Sequence, residues 1–339
     1  MKLFKSLLVA PASLGLLAPI AVTANEVTIN DFNAAEEIAV TNSRVDGLEA
    51  RLNNFEAGSF SETTTASFSV DSVLGSIDGA SSETTSLDFQ FNIGLSTSFT
   101  GEDSLDIAID SGNASQSVMG SKMGFDSGNG LVVDGVTYSF PLGSATMIVG
   151  DSTDLSAAFT GACTYSAFTD ATPDDCGTGN SMGAGGKGVT AAVGYEFDSG
   201  FSLAGGVTSG NTEILGDAAD AFGINAAYSA DSYGVAVAYI SDDGGTGAET
   251  TTWGLNGYYT FDLASVSVGY ETSETSGTDS SGYFVGLSFP EVGPGSVNIA
   301  AATYNTENGS GLFMDSETET LIYEASYSYP VNDAMTITP

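Results

Sequence analysis

The sequence predicts an all-β protein, a transmembrane antiparallel β-barrel of about sixteen strands preceded by a short N-terminal coiled-coil helix. The main observation is that apolar residues alternate with small or polar residues, with a period of two, from Phe60 to the end of the chain. Most segments with this alternation have about ten residues, which is the length of a strand that crosses a bilayer at a tilt. Residues 1–24 have the pattern of an export signal, and the sequence after them contains no apolar run long enough for a transmembrane helix.

The composition excludes several classes of function. The chain has 339 residues, of which 43 are acidic and 6 basic, with no histidine and 2 cysteines. Without histidine there is no Ser-His-Asp triad and no imidazole zinc site, and two cysteines are too few for a four-thiolate metal site. A net charge of −37 is incompatible with a surface that neutralises nucleic-acid phosphates. The sequence therefore predicts no enzyme, no cofactor, no metal and no nucleic-acid partner.

Residues 1–24 predict a signal peptide. A basic start is followed by the apolar stretch Leu7–Val22 and by small residues that suit cleavage. The alternative is a short transmembrane helix, which Pro11 and Pro19 disfavour because proline interrupts a helix. The predicted division is a signal at 1–24, a periplasmic linker and coiled-coil helix at 25–58, and an outer-membrane barrel at 59–339.

A helical period occurs in the segment Asp31–Glu56. Apolar residues recur there at spacings of three and four, which is the pattern of a coiled coil. The phrases RVDGLE and RLNNFE repeat one heptad apart and resemble parallel three-stranded coiled coils, so we expect a trimer. The alternative is a single amphipathic helix that packs on the rest of the chain; about three heptads are marginally stable alone, so the trimer would need to be held together elsewhere. The predicted coil positions are Ile38, Val45 and Leu52 (a), Thr41, Leu48 and Phe55 (d), Arg44 and Arg51 (g), and Glu49 and Glu56 (e).

The alternating region predicts fifteen strands separated by turns rich in Gly, Pro and Asp. A closed bacterial barrel needs an even number of strands, and the sequence stops at Pro339, so we expect the last hairpin partner to be missing from it. A soluble sandwich also alternates, but with shorter strands around a closed apolar core. Long series of Ser, Thr, Gly, Asn and Asp on the polar face favour a water-filled lumen instead. The predicted strands are 62–74, 85–99, 103–110, 131–140, 144–151, 188–197, 201–209, 219–229, 233–241, 250–262, 264–273, 281–289, 295–304, 318–329 and 332–338.

The longest irregular stretches are Ser111–Gly130 and Ser152–Lys187. The second is too long for a plain turn and contains Cys163 and Cys176, for which we expect a disulfide. That disulfide would either staple a loop outside the barrel or rigidify a loop folded into the pore. The external loop is the simpler interpretation and is preferred, although both can hold together.

Three stretches of sequence together resemble a known family. They are MKLFKSLLVAPASLGLLAPIA, VTNSRVDGLEARLNNFEAGSFSETTT and VDGVTYSFPLGSATMIVG. They resemble the outer-membrane porins of cyanobacteria, particularly marine picocyanobacteria, which are similar to the carbohydrate-selective OprB-type porins and include some described as iron-uptake porins. The resemblance is most specific at Val40–Thr65 and Val133–Gly150. It implies a homotrimeric barrel in outer-membrane lipid that passes small solutes and inorganic ions by diffusion. Many relatives have a wall-binding domain where this chain has only Asn25–Glu37, so peptidoglycan binding is not predicted.

The charge of the barrel region predicts a preference for cations. Its basic residues are Lys122 and Lys187, both in loops. A narrow passage focuses the field of the surrounding carboxylates, and acidic rings favour cations. Tyr165 and Phe168 would be the stacking platforms of a sugar channel. The acidic candidates for the passage, each with solubility or divalent-ion bridging at the surface as its alternative, are Asp151, Asp154, Asp170, Asp174 and Asp175.

Three functions fit these patterns. The main hypothesis is a passive diffusion channel for small hydrophilic solutes and inorganic ions. The second is a non-conducting structural or adhesive outer-membrane anchor, with the coil as a spacer. The third is a secreted, calcium-dependent β-protein that uses its Asp-rich turns. Conductance in planar bilayers distinguishes the first from the second, and solubility without detergent identifies the third.

Overall fold

The structure is a computed structural model of the chain. It describes residues 44–45, 64–78, 85–113, 118–125, 128–170, 174–183, 188–210, 219–244, 247–304 and 320–339. The chain divides into two compact units, Met1–Ser61 and Glu62–Pro339. In the first unit Arg44 and Val45 are helical and exposed. The predicted signal peptide, the linker and the other coil positions lie outside the described residues.

The described part of Glu62–Pro339 contains fifteen β-strands. Each strand begins and ends within three residues of a segment that the alternation predicts. The strands are β1 Thr64–Ser76, β2 Thr85–Thr97, β3 Ser104–Gly112, β4 Val132–Leu142, β5 Ala145–Thr153, β6 Gly188–Glu196, β7 Phe201–Ser209, β8 Asp220–Ser229, β9 Tyr233–Asp242, β10 Thr250–Thr260, β11 Ser265–Thr275, β12 Thr278–Val292, β13 Gly295–Tyr304, β14 Thr320–Asn332 and β15 Met335–Ile337.

Within the described part of Glu62–Pro339, short helical elements occur only in loops. Helix α1, Val118–Lys122, lies in the β3–β4 loop, and helix α2, Gly179–Met182, lies in the β5–β6 loop. The β5–β6 loop also contains 3₁₀ turns at Leu155–Ala157 and Asp174–Cys176. Among the residues that the structure describes, no helix has both the length and the apolar character needed to span a membrane.

Each strand pairs antiparallel with its neighbours in sequence, so the sheet runs from β1 to β15 without a crossover. Because the hairpins alternate, short turns such as Gly143-Ser144 lie at one rim, and most of the longer connections, including the β5–β6 loop, lie at the other. Over the described ranges, no register joins β1 to β15. The polypeptide therefore forms a single up-and-down sheet whose curvature gives it an inner and an outer face.

The two faces differ in polarity, as the alternation predicts. On β10 the outer residues Trp253, Leu255 and Tyr259 are 51%, 50% and 49% exposed, whereas the inner residues Thr252 and Asn256 are buried. In a sandwich these large apolar side chains would pack in a closed core. Their exposure around the outside is the arrangement of a transmembrane barrel, whose outer surface contacts lipid.

Aromatic side chains form two bands on the outer face. At the short-turn rim, Tyr195 and Phe197 have ring centroids 4.5 Å apart. Nearer the other rim, Tyr239 of β9 contacts Trp253 of β10 with centroids 4.4 Å apart. Aromatic rings favour the boundary between lipid tails and water because they are apolar but have polar edges. Further aromatic pairs of the short-turn rim are Tyr138 with Phe140, Phe201 with Tyr228, and Tyr259 with Phe261.

Candidate functional site

The β5–β6 loop lies on the inner face of the barrel. Its described residues form an outgoing leg, Leu155–Thr169, and a returning leg, Asp174–Met182. Cys163 and Cys176 form a disulfide that joins the two legs, with their Cα atoms 5.7 Å apart. The preferred sequence interpretation, a loop stapled outside the barrel, is therefore wrong. The physical reason is that hydrogen bonds and apolar contacts hold both legs against the inner wall.

Between residues 160 and 164 of the outgoing leg, every second backbone N–H is bonded to the inner wall. Residues Phe159–Ala167 have no helical or sheet assignment, and their N–H groups at positions 160, 162 and 164 donate to polar side chains of β8, β10 and β11. Buried N–H groups without a partner are costly, so these side chains replace the water that the loop loses. The pairs are Thr160 N with Asn225 Oδ1 (2.9 Å), Ala162 N with Asn256 Oδ1 (2.8 Å) and Thr164 N with Ser267 Oγ (3.1 Å).

Apolar contacts fix the start of the loop. Leu155 is fully buried and packs with Ala192, Ala221 and Ile240 on the inner faces of β6, β8 and β9. Ala162 packs farther along with three inner alanines and with Met182 of the returning leg. The small alanine side chains on this wall leave room for the loop backbone. Burial of a leucine side chain such as that of Leu155 contributes about 2 kcal/mol to the stability of the folded state.

The tip of the loop is held by one carboxylate of β14. Oε1 of Glu324 accepts the Tyr165 hydroxyl at 2.8 Å and the Phe168 N–H at 2.7 Å. Its Oε2 accepts the Thr169 N–H at 2.9 Å and the Thr169 hydroxyl at 2.7 Å. Because Glu324 is only 9% exposed, these four donors supply the solvation that burial removes.

A second carboxylate holds the returning leg. Glu271 of β11 is fully buried; its Oε2 accepts the Ser181 N–H at 2.6 Å and its Oε1 accepts the Asn180 amide at 2.9 Å. The amide of Asn256 donates to Thr178 Oγ1 at 2.7 Å. Both legs are therefore bound to the same stretch of wall, on either side of the disulfide.

Glycines on the inner wall provide a groove for the loop. A Cβ at Gly286 would lie 2.6 Å from Tyr165 Cδ2, and a Cβ at Gly223 would lie 2.7 Å from Leu155 Cδ1. A Cβ at Gly269 would collide with the carbonyl oxygen of Cys176, and one at Gly254 with the Ser181 hydroxyl. The four strands β8, β10, β11 and β12 thus each lack a side chain where the loop passes.

The inner faces of β1 to β4, which we call the open wall, have a different lining. The loop contacts the inner faces of β6 and β8–β14; on β13, Ala300 and Ala302 belong to the apolar cluster that contains Tyr165. The open wall has exposed side chains of Asp71 and Asp106, and Asn92 donates to Asp71 at 3.3 Å. A recess of about 300 Å³ lies on this wall, lined by small and polar residues that include Thr65, Ser67, Ser96, Asp106 and Thr137.

The acidic residues predicted for the passage occupy several environments. Asp151 pairs with Val136 on the outer face, so it does not line the lumen. Asp154 is half-buried and caps the first 3₁₀ turn by accepting the Ser156 N–H at 2.7 Å. Asp170 and Asp175 are exposed parts of the loop, and of Asp174 only the backbone is described.

The two aromatic residues predicted as stacking platforms for a sugar, Tyr165 and Phe168, differ in their burial. Tyr165 is buried and packs edge-on against Phe284, with ring centroids 5.2 Å apart, so its face is not free to stack on a ligand. Phe168 is partly buried beside Glu324.

Sequence reasoning did not identify the wall residues that hold the loop, which are Asn225, Asn256, Glu271 and Glu324. Each occupies an inner-facing position of its strand, among Ala, Gly, Ser and Thr. The available signal is a large polar or acidic side chain within a series of small ones. That signal locates the inner face but does not reveal which segment the side chain binds.

Comparison with solved structures identifies the fold. A mutant of the Rh. blastica porin superimposes with a TM-score of 0.54 at 14% identity, covering 81% of this chain and 92% of that one. An anion-selective porin from Comamonas acidovorans gives a TM-score of 0.54 at 15% identity, covering 79% and 86%. The fold is that of the bacterial porins. A loop-deletion mutant of OmpT, an outer membrane protein of Vibrio cholerae, also superimposes on this porin barrel, with a TM-score of 0.52 at 12% identity.

Sequence comparisons are less informative for this porin barrel. No protein-family profile matches the chain. An uncharacterized protein of Nostoc sp. is 32% identical over 142 residues, which cover 36% of this chain and 24% of the length of that relative.

Proposed function

We propose that this porin barrel is an outer-membrane channel through which small hydrophilic solutes and inorganic ions diffuse passively. The observation that supports the proposal most directly is the division of the inner face into two parts. The β5–β6 loop occupies the wall from β6 to β14, and the open wall keeps exposed Asp, Ser and Thr side chains. A hydrated path beside the loop follows from this arrangement.

We further propose that the channel prefers cations. None of the fifteen strands contains a lysine or an arginine. Asp71 and Asp106 are exposed on the open wall, and Asp170 and Asp175 are exposed on the loop. Carboxylates on strands that contain no basic residue lower the energy of a cation in a narrow passage and raise that of an anion.

The remaining parts of the proposal rest on the sequence. Residues 1–24 would direct export, and the heptads at Asp31–Glu56 would hold three barrels together in the outer membrane. The similarity to porins at 12–15% identity supports the fold, and the heptad pattern is the separate argument for the trimer.

Single-channel recording in planar bilayers tests the function. Folded protein in a KCl gradient should give discrete conductance steps and a reversal potential of the sign set by K⁺. A reversal potential set by Cl⁻ would overturn the proposed cation preference but would still support the proposed channel function. A silent bilayer that contains folded barrels would overturn the channel itself and favour the structural or adhesive anchor.

A further inference from the structure

We propose that Glu324 is a positioning residue, whose carboxylate holds the tip of the β5–β6 loop against the barrel wall and so keeps the passage beside the loop open. This inference rests on the proposed channel function for its effect on conductance. The hold itself can be measured without any current.

The hydrogen bonds of Glu324 all come from one short segment of the loop. An ionised carboxylate has two oxygens that accept about four hydrogen bonds. Here Oε1 accepts Tyr165 and Phe168, and Oε2 accepts the N–H and the hydroxyl of Thr169, at 2.7–2.9 Å. The carboxylate is therefore matched to the loop tip.

For its hydrogen bonds to the wall the tip depends on a single residue, Glu324, in addition to the packing of Tyr165 against Phe284. The start of the loop is held by buried Leu155, and the returning leg by Glu271 together with Asn256. Residues 165–169 lie inside the ring closed by Cys163 and Cys176, beyond the disulfide. Within the described residues, the hydrogen bonds that these five positions make to the wall all end on Glu324.

On its other side the tip contacts the β3–β4 loop. The Asp170 N–H donates to the Lys122 carbonyl at 3.1 Å, and a Cβ at Gly124 would lie 2.8 Å from the Asp170 carboxyl carbon. Helix α1 of that loop in turn contacts the inner face of β1, because Met119 packs on Gly75. The tip thus lies between β14 and the start of the open wall, and a tip released from Glu324 can move over the open wall.

The first test measures amide hydrogen exchange of the full chain in detergent or lipid. Glu324→Gln replaces one acceptor oxygen by a donor NH₂, which in either orientation of the amide faces a backbone N–H donor, that of Phe168 or that of Thr169. We expect the Phe168 and Thr169 amides to exchange roughly tenfold faster, because one hydrogen bond to a charged group changes an opening equilibrium by about that factor. Ser326→Ala, two residues along the same inner face, is the matched control and should leave these amides unchanged.

Two further variants separate a local hold from general loosening. Glu271→Gln should accelerate exchange at Ser181 and leave Phe168 unchanged. Thr169→Val removes one hydrogen-bond donor from the loop side without altering the barrel strand. It therefore tests the contact with Glu324 even where Glu324→Gln lowers the yield of folded protein. We expect Thr169→Val, like Glu324→Gln, to accelerate amide exchange at Phe168. Unchanged exchange at Phe168 in both tip variants would overturn the proposal.

The second test is single-channel recording of the same variants. Glu324→Gln should spend about tenfold more time in reduced-conductance states than wild type, while Ser326→Ala behaves as wild type. Faster tip exchange with unchanged conductance states would overturn the role in keeping the passage open. A wild-type protein that does not conduct would overturn the proposed function instead, and the exchange experiment would still decide whether Glu324 holds the tip.

Discussion

The amide oxygen of Asn256 accepts the backbone N–H of Ala162 at 2.8 Å, across 94 positions of sequence. The amide nitrogen of the same side chain donates to Thr178 on the returning leg at 2.7 Å. Asn256 is 1% exposed, so neither group can exchange its partner for bulk water. One side chain of the barrel wall therefore fixes both legs of the loop.

Substitution of Gly269 should displace the returning leg. A Cβ at this position meets the carbonyl oxygen of Cys176, which belongs to the backbone and cannot rotate away. We expect Gly269→Ala to destabilise the loop by about 1–3 kcal/mol, the usual cost of overpacking, and to accelerate amide exchange at Thr178 and Ser181. Gly135→Ala on the open wall is the control, since its nearest atom would lie 3.4 Å away. Equal amide exchange at Thr178 and Ser181 in the two variants would contradict the conclusion that the inner-wall glycines form a groove for the loop.

A charge on the outer face should weaken membrane insertion. Leu255 is half exposed in the middle of β10, where a lipid-facing arginine costs about 2–4 kcal/mol. We expect Leu255→Arg to lower the urea midpoint for unfolding from lipid vesicles. Thr137→Arg, on the inner face of β4, should change that midpoint much less because its side chain meets water. The lipid-facing assignment fails if both arginines have the same effect.

Neutralising the open wall should reduce the preference for cations. A unit charge about 7 Å from an ion in a water-like medium contributes about 0.6 kcal/mol, or a factor of two to three. Because the carboxylate favours K⁺ and disfavours Cl⁻ by that factor each, we expect the double variant Asp71→Asn, Asp106→Asn to lower the ratio of K⁺ to Cl⁻ permeability by about sevenfold per residue. Asp198→Asn, in the short turn after β6, is the control. The measurement is the reversal potential in a KCl gradient, and an unchanged value in the double variant removes these carboxylates from the ion path.

Asp103 should make stability depend on pH. Hydrogen bonds from the hydroxyls of Ser98 (2.6 Å) and Tyr138 (2.6 Å), together with the Thr100 N–H, hold the pKa of the Asp103 carboxyl in the β2–β3 turn well below its usual range. Because the pKa is lower in the folded state, this contribution to stability is fully present above pH about 4 and declines as the pH falls further.

The corresponding measurement is the melting temperature in detergent between pH 7 and pH 2. Asp103→Asn should melt below wild type at pH 7, and the difference should narrow as the pH falls. Asp262→Asn, in the turn between β10 and β11, is the matched control and should follow wild type throughout. A difference that widens towards low pH contradicts the assigned direction of the pKa.

Strand ends show where local patterns were sufficient and where they were not. Alternation located β7 and β13 at their observed bounds, because one face of each strand is apolar and the other is small or polar. It predicted that β12 begins at residue 281, whereas the strand begins at Thr278. The polar residues before 281 resemble a loop, but they pair with β11 across a tight turn in which Ser276 and Gly277 have positive φ. Pairing with a neighbour extended the strand where composition favoured a turn.

The sequence alone determined the strands, their two faces and the absence of basic residues from the barrel wall, because each is a property of neighbouring positions. Only the tertiary structure decided that the β5–β6 loop lies inside the barrel. That placement depends on residues 65 to 159 positions apart, such as Thr160 with Asn225 and Tyr165 with Glu324. A hydrogen-bond acceptor such as Glu324 has the same local sequence signal whether it faces water or a loop, so its partner is set only when the sheet curves and brings the two together.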